Sequence, residues 1–252
     1  MIVTMGGAAG RGGNLWWGGV DVSSSKWRIA AGVACLVGGS LAQLVQCLVT
    51  PVAQGDSAAD QVSQAAGHLS AMRLAVVLDV PLVLIIPAVL YVGVVAGARA
   101  SRLAAVGTVL AFLPAVAAEF LLAGDALLYE AARQPDRAAA TSLVKAYLGN
   151  GVIGGLTVVY LIGHVIGFVL LAVALWRVRA VPRWAAVALG LSPVVEIAGA
   201  GSGTTAVTAV GYALLVTAFG ACAATLIRGR REEIAPASAQ QSGIEPAVPT
   251  AR

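Results

Sequence analysis

Six stretches of this sequence stay almost wholly apolar for the length of a membrane: 29–49, 74–95, 103–124, 152–176, 184–200 and 206–227. A bilayer core of about 30 Å is crossed by roughly 20 helical residues. Five runs meet that length and the fifth in order comes close. None shows the period-2 alternation of a membrane β-strand. The pattern predicts an all-α fold, a polytopic membrane bundle of six transmembrane helices. Pro51 ends the first span, and the fourth is long enough to tilt.

Polar segments between the runs set the connections. Residues 96–102 join spans two and three, and 177–183 join spans four and five. Such short links imply antiparallel neighbours. Two other loops are longer. Asp56-Ser57 can cap a helix toward Met72, with Val62, Ala65, Leu69 and Met72 at helical spacing. Residues 126–133 and 137–148 read as two short helices split by Gln134-Pro135-Asp136, with Asp136 as the cap of the second. Both loops are expected partly on the outer membrane surface, the alternative being that they pack over the bundle.

Residues 1–25 are rich in Gly and Ser and read as a flexible segment, with membrane-surface contact of the Trp16-Trp17 pair as the alternative. Residues 229–252 carry Pro, Ala, Gln and Ser and read as a disordered tail. The six-helix domain is therefore expected over 26–228. Ser40-Leu41-Ala42 resembles a signal-peptidase site, but the apolar run continues past it, which argues against cleavage.

Composition narrows the class. Hydrophobic residues make up 59% of the 252 and charged residues 11%, against about 25% charged in a soluble domain. A soluble fold could not cover its surface with so few charges. The three cysteines, Cys35, Cys47 and Cys222, exclude a disulfide scaffold and read as small buried residues. A net charge of +4 does not indicate nucleic acid, because the basic residues sit in short clusters beside the spans. All but four of the 16 Lys and Arg (Arg73, Arg133, Arg137 and Lys145) fall on one side. The positive-inside rule makes that side cytoplasmic and both termini internal. Trp27, Trp176 and Trp184 fall at the same interface, where indole rings settle. Arg in excess of Lys, with Ala, Gly and Val dominant, suits a bacterial plasma-membrane protein.

The candidate chemistry lies in the charges inside the spans, which cost roughly 2.5–3.5 kcal/mol each at the centre on insertion scales. Asp79 is in span two, Glu119 in span three and Glu196 in span five. Counted from the predicted outer ends, all three lie in the outer third, with Gln43 and Gln46 of span one. Arg73 opens span two and Asp125 marks the rim. Pro81, Pro114 and Pro193 stand near the three acids, and proline bends a helix by removing a backbone bond. Acids and kinks in one layer point to a polar binding pocket open to the outside. A purely structural role, capping helices or pairing with Arg73, is the competing reading. If the three acids converge, like charges sharing one site require at least one to be protonated at neutral pH.

His164 lies near the middle of span four, within Gly163-His164-Val165-Ile166-Gly167. The GxxxG spacing allows close helix approach. The histidine is read first as a packing residue, with proton relay or haem ligation as alternatives. A two-histidine haem would need His68 in an outer loop, and too few His and Cys are present for zinc. No cofactor is expected. Gly201-Ser202-Gly203 lacks a partner at its depth for serine chemistry, and no nucleotide-binding glycine motif is present.

Two stretches resemble a known family. One runs from Gly55-Asp56-Ser57-Ala58-Ala59-Asp60 to Met72-Arg73-Leu74 and Leu90-Tyr91. The other runs from Gly163-His164 through Leu175-Trp176-Arg177 to Val181-Pro182-Arg183-Trp184. Together they resemble an uncharacterised family of six-helix bacterial integral membrane proteins, a domain-of-unknown-function family. The resemblance spans helices one to five and implies fold and topology, with no activity attached. An Arg often present within that family's third helix is absent, Phe112-Leu113-Pro114 standing there.

Three functions compete. The first is a small-solute or cation transporter or sensor, with the bilayer around it and a small cation or proton as ligand. The second is a non-catalytic assembly protein whose small-residue faces pack against a helical partner. The third, an intramembrane enzyme, lacks a recognisable nucleophile, metal set or cofactor motif.

Overall fold

The computed structural model of the chain describes residues 26–53, 55–97 and 101–241, without the side chains of Lys26, Ser101 and 229–241. Trp16-Trp17, Arg99 and the last residues of the tail, 242–252, lie outside the described residues. The first span is α1 (Lys26–Val33), a π-helical segment (Ala34–Gly39) and α2 (Ser40–Val49). A loop helix α3 (Ala58–Gly67) follows. The second span is α4 (Leu69–Leu82) and α5 (Ile85–Gly97), and the third is α6 (Ser101–Arg133). After the short α7 (Arg137–Leu148) come α8 (Gly151–Val178), α9 (Arg183–Gly201) and α10 (Thr205–Gln241). Six of these rods are long and apolar enough to cross a membrane, and the described residues contain no strand.

Local chemistry explains the ends. Ser57 accepts from Asp60 N at the start of α3, and Asp136 Oδ1 accepts from Ala138 N and Ala139 N at the start of α7, as expected of side-chain caps. The α9–α10 turn is a Schellman motif: Thr204 N donates to Gly199 O and Gly203 N to Ala200 O, with Gly203 at φ +66°. Glycine takes that left-handed conformation without Cβ strain, which accounts for Gly201-Ser202-Gly203. The second span breaks at Val83-Leu84. Pro87 has no N–H for the carbonyl of residue 83, and the chain tightens through Leu84 N to Pro81 O and Ile86 N to Val83 O. Pro114 and Pro193 lie inside helices that continue past them.

Three boundaries differ from the sequence reading. Met72 belongs to α4, because the chain turns at His68. The third span does not stop at 124 but runs on as one helix to Arg133. Gly124 and Asp125 hold it there through tertiary contacts: Gly124 lies under the Tyr147 ring, and Asp125 accepts from Gln46 Nε2 at 3.0 Å. Beyond 227, α10 continues to Gln241, so the backbone of 229–241 is helical where composition predicted disorder. Arg, Glu, Ala and Gln there are good helix formers.

Packing follows membrane rules. Association between spans rests on close contact rather than on the hydrophobic effect, and the shared core is rich in alanine around Leu36, Val92, Phe168, Leu171, Leu189 and Phe219. The GxxxG pair works as expected: a Cβ on Gly167 would stand 2.4 Å from Ala111 N, and one on Gly163 3.1 Å from Leu110 O. α8 and α6 are thereby in backbone contact. Val80, Val109, Phe120, Val152 and Ile162 point outward from the bundle. Trp27, Trp176 and Trp184 are exposed too, and Arg183 lies over the Trp176 ring at 5.3 Å. The loop helices pack over the end of the bundle. α3 and α7 bury Val62, Ala65, Ala140 and Val144 against Leu128, Ala131 and Ala132 of α6.

Candidate functional site

The polar layer predicted from the sequence divides into two clusters. The first is built on α8, α9 and α10. Glu196 of α9 is 4% exposed and His164 of α8 is 5% exposed. Glu196 Oε2 stands 3.1 Å from His164 Nε2. Its other oxygen, Oε1, accepts from the Tyr160 hydroxyl at 2.5 Å and from the Tyr212 hydroxyl at 3.1 Å. Both oxygens of this carboxylate are bonded from neighbouring helices, which is how a buried ionisable group is tolerated.

Helix register produces this meeting. Counted from the tight turn between α8 and α9, His164 lies 14 residues before Val178 and Glu196 lies 13 after Arg183. At 1.5 Å per residue both stand about 20 Å from the turn. Tyr160, one turn further along α8, shares the His164 face; their rings stack at 5.0 Å, and Phe168 meets the imidazole edge-on at 4.7 Å. α10 reaches Glu196 because Gly211 carries no side chain: a Cβ there would stand 2.6 Å from Glu196 N.

The second cluster joins α2, α4 and α6. Gln46 bonds Asp125 and is within hydrogen-bonding reach of Asp79, which is in turn within electrostatic reach of Asp125 and Glu119. Here too a tight connection sets the level: Asp79 is 18 residues before Gly97 and Glu119 is 18 after Ser101, about 27 Å in each case. That is about 7 Å, or four to five residues of helix, further from the turn than Glu196 stands from its own. Asp79 Oδ1 and Gln43 Oε1 are buried side-chain acceptors with no donor. Tyr147 of α7, outside the spans, has its hydroxyl pKa raised by burial and then by the Asp125 charge.

A cavity of about 160 Å³ lies between the clusters, at the end of the bundle that carries α3 and α7. Asp125 and Gln46 form one wall, Tyr212 and Thr208 the other, and Cys47 and Thr50 complete it along α2. Tyr212 thus touches the cavity on one side and Glu196 on the other. Gln43, one turn below Cys47, is within hydrogen-bonding reach of Tyr212.

The three acids therefore do not converge on one site. Asp79 and Glu119 belong to one cluster and Glu196 to the other. The premise for like-charge crowding of all three is absent. Arg73 is exposed and pairs with none of them; the ion pairs among the described residues are Arg133 with Glu130 and His164 with Glu196. His164, placed apart from the acids by the sequence reading, is the partner of one. Depth had been counted from the outer ends, where α8 overruns α9. Tyr160 and Tyr212 were missed, and Asp125 was read only as a rim residue. His68 is exposed, its Nδ1 on Gln64 O.

Chemically, the pair joins a carboxylate to an imidazole through Oε2, while the two phenols donate to Oε1. Comparison with protein-family models, curated proteins and solved structures finds no match.

Proposed function

We propose that this multi-pass membrane protein binds a small cation in a cavity facing out of a bacterial plasma membrane, and links that binding to a proton held by Glu196 and His164. It acts as a small-solute or cation transporter or sensor, with both termini cytoplasmic. The resemblance to the six-helix family fits this topology and adds no activity of its own. The observation that carries the reading is the continuity from cavity to buried pair: Asp125 on one wall, Tyr212 on the other, and Tyr212 bonded to Glu196.

Buried ionisable groups of this kind mark ion and proton pathways in membrane proteins. Asp79 stands four residues before the break at Val83-Leu84, which packs against Gly39 of the π-helical segment, and such interrupted helices suit a site whose walls can move. Cys47 is a native reporter of the cavity. A membrane-impermeant maleimide added outside intact cells should label Cys47 and leave the buried Cys222 unmodified. Labelling of Cys47 only after the inner face is opened would reverse the orientation, and no labelling from either side would remove the accessible cavity.

A further inference from the structure

We infer that the cavity ligand is a small primary ammonium ion carrying a short alkyl group. The inference deepens the cation reading above and rests on it.

The argument is an inventory of donors and acceptors. The Tyr212 hydroxyl donates to Glu196 Oε1. Thr208 Oγ1 donates to Thr204 O at 3.4 Å, and Thr50 Oγ1 to Gln46 O at 2.7 Å. A hydroxyl has one proton and two lone pairs, so these three groups present lone pairs to the cavity they line. Each of the two lining glutamines has committed one of its two amide protons, Gln46 to Asp125 Oδ2 and Gln61 to Asp56 O. Asp125 supplies acceptor oxygens. The three bonded hydroxyls thus turn their protons away from the cavity, and their lone pairs stand with Asp125 as its acceptors. A ligand that offers only acceptors would leave buried groups unpaired, which is costly. A ligand with several N–H donors and a positive charge satisfies them.

Size and lining narrow the class. A cavity of about 150 Å³ holds benzene in a known engineered case, so 160 Å³ suits about six non-hydrogen atoms. Val52, Leu128 and Ala200 on the lining give an alkyl tail an apolar seat. A bare metal ion would leave that seat empty, and the described residues hold no cluster of three His, Cys, Asp or Glu fit for one.

The test is calorimetric titration of the purified full chain with n-butylammonium, tetramethylammonium, sodium and butyrate. The two organic cations share charge and similar size but only the first has N–H groups. Sites built to hydrogen-bond a ligand reject analogues lacking the donor, so n-butylammonium should bind at least about tenfold more tightly than tetramethylammonium. Asp125→Asn and Thr50→Val should each weaken it, the first by about tenfold or more. Equal affinity for the two organic cations, or preference for sodium, would overturn the ammonium assignment while leaving a cation site standing. Preference for butyrate, or no binding of any cation, would overturn both this inference and the reading beneath it.

Discussion

Glu196→Ala is the most informative single perturbation of the fold. The carboxylate accepts from two phenols and faces an imidazole, all within 3.1 Å and nearly free of solvent. Removing one member of a buried charged pair costs about 3–5 kcal/mol. Neutral interhelical hydrogen bonds inside membranes average only about 0.6 kcal/mol, so the tyrosines add about 1 kcal/mol together. A loss of about 5 kcal/mol is therefore expected for Glu196→Ala. Glu196→Gln keeps an oxygen for both phenols and offers an N–H to a neutral His164, which limits the loss to about 1–2 kcal/mol on the usual scale of hydrogen-bond exchange. Unfolding in mixed micelles by a denaturing detergent, followed by far-ultraviolet circular dichroism, measures both. A double-mutant cycle with His164→Ala should return a coupling of about 2 kcal/mol for contacting residues. A loss under about 0.5 kcal/mol for Glu196→Ala, or equal losses for Ala and Gln, would refute the network as described.

Asp79→Asn should leave stability unchanged or raise it by about 1 kcal/mol, because it removes a buried carboxylate charge whose Oδ1 has no donor; the same denaturation assay reads it. Gly167→Ala should cost about 1–3 kcal/mol by forcing α8 from α6. Gly220→Ala, where a Cβ meets nothing within 4 Å, should be neutral or slightly stabilising. Arg73→Gln should change stability by less than about 0.5 kcal/mol, as expected of an exposed side chain without a partner acid.

The six spans were legible because a membrane helix must be apolar along its whole length, and that pattern needs no tertiary information. Caps at Ser57 and Asp136 and the close approach at Gly163 and Gly167 were legible for the same reason, being local. The site was legible only in parts. Glu196 and His164 announced themselves as ionisable groups within spans, yet their pairing depends on register. Register is fixed by the tight turn at 178–183, and residue counting from that turn brings the two to one height. Counting from the outer ends hid it, since those ends are staggered. Tyr160 was available from its four-residue spacing to His164. Tyr212 was not, because only the glycine at 211 brings α10 against Glu196, and no local pattern reports which helix a glycine meets. Asp125 looked like a rim residue because a Gly-Asp pair resembles a helix end; its contact with Gln46 is separated by most of the first half of the chain.

The link between the outer cavity and the buried pair is tested most directly by proton movement. Purified protein in sealed liposomes with an internal pH dye should show internal pH change when n-butylammonium is added outside at constant external pH. Protein-free liposomes, run in parallel, remove the passive leak of the neutral amine. The account predicts a protein-dependent signal that Asp125→Asn and Glu196→Gln each abolish, while Arg73→Gln retains it. A signal that survives Glu196→Gln in folded protein would contradict the claim that the cavity communicates with the Glu196–His164 pair.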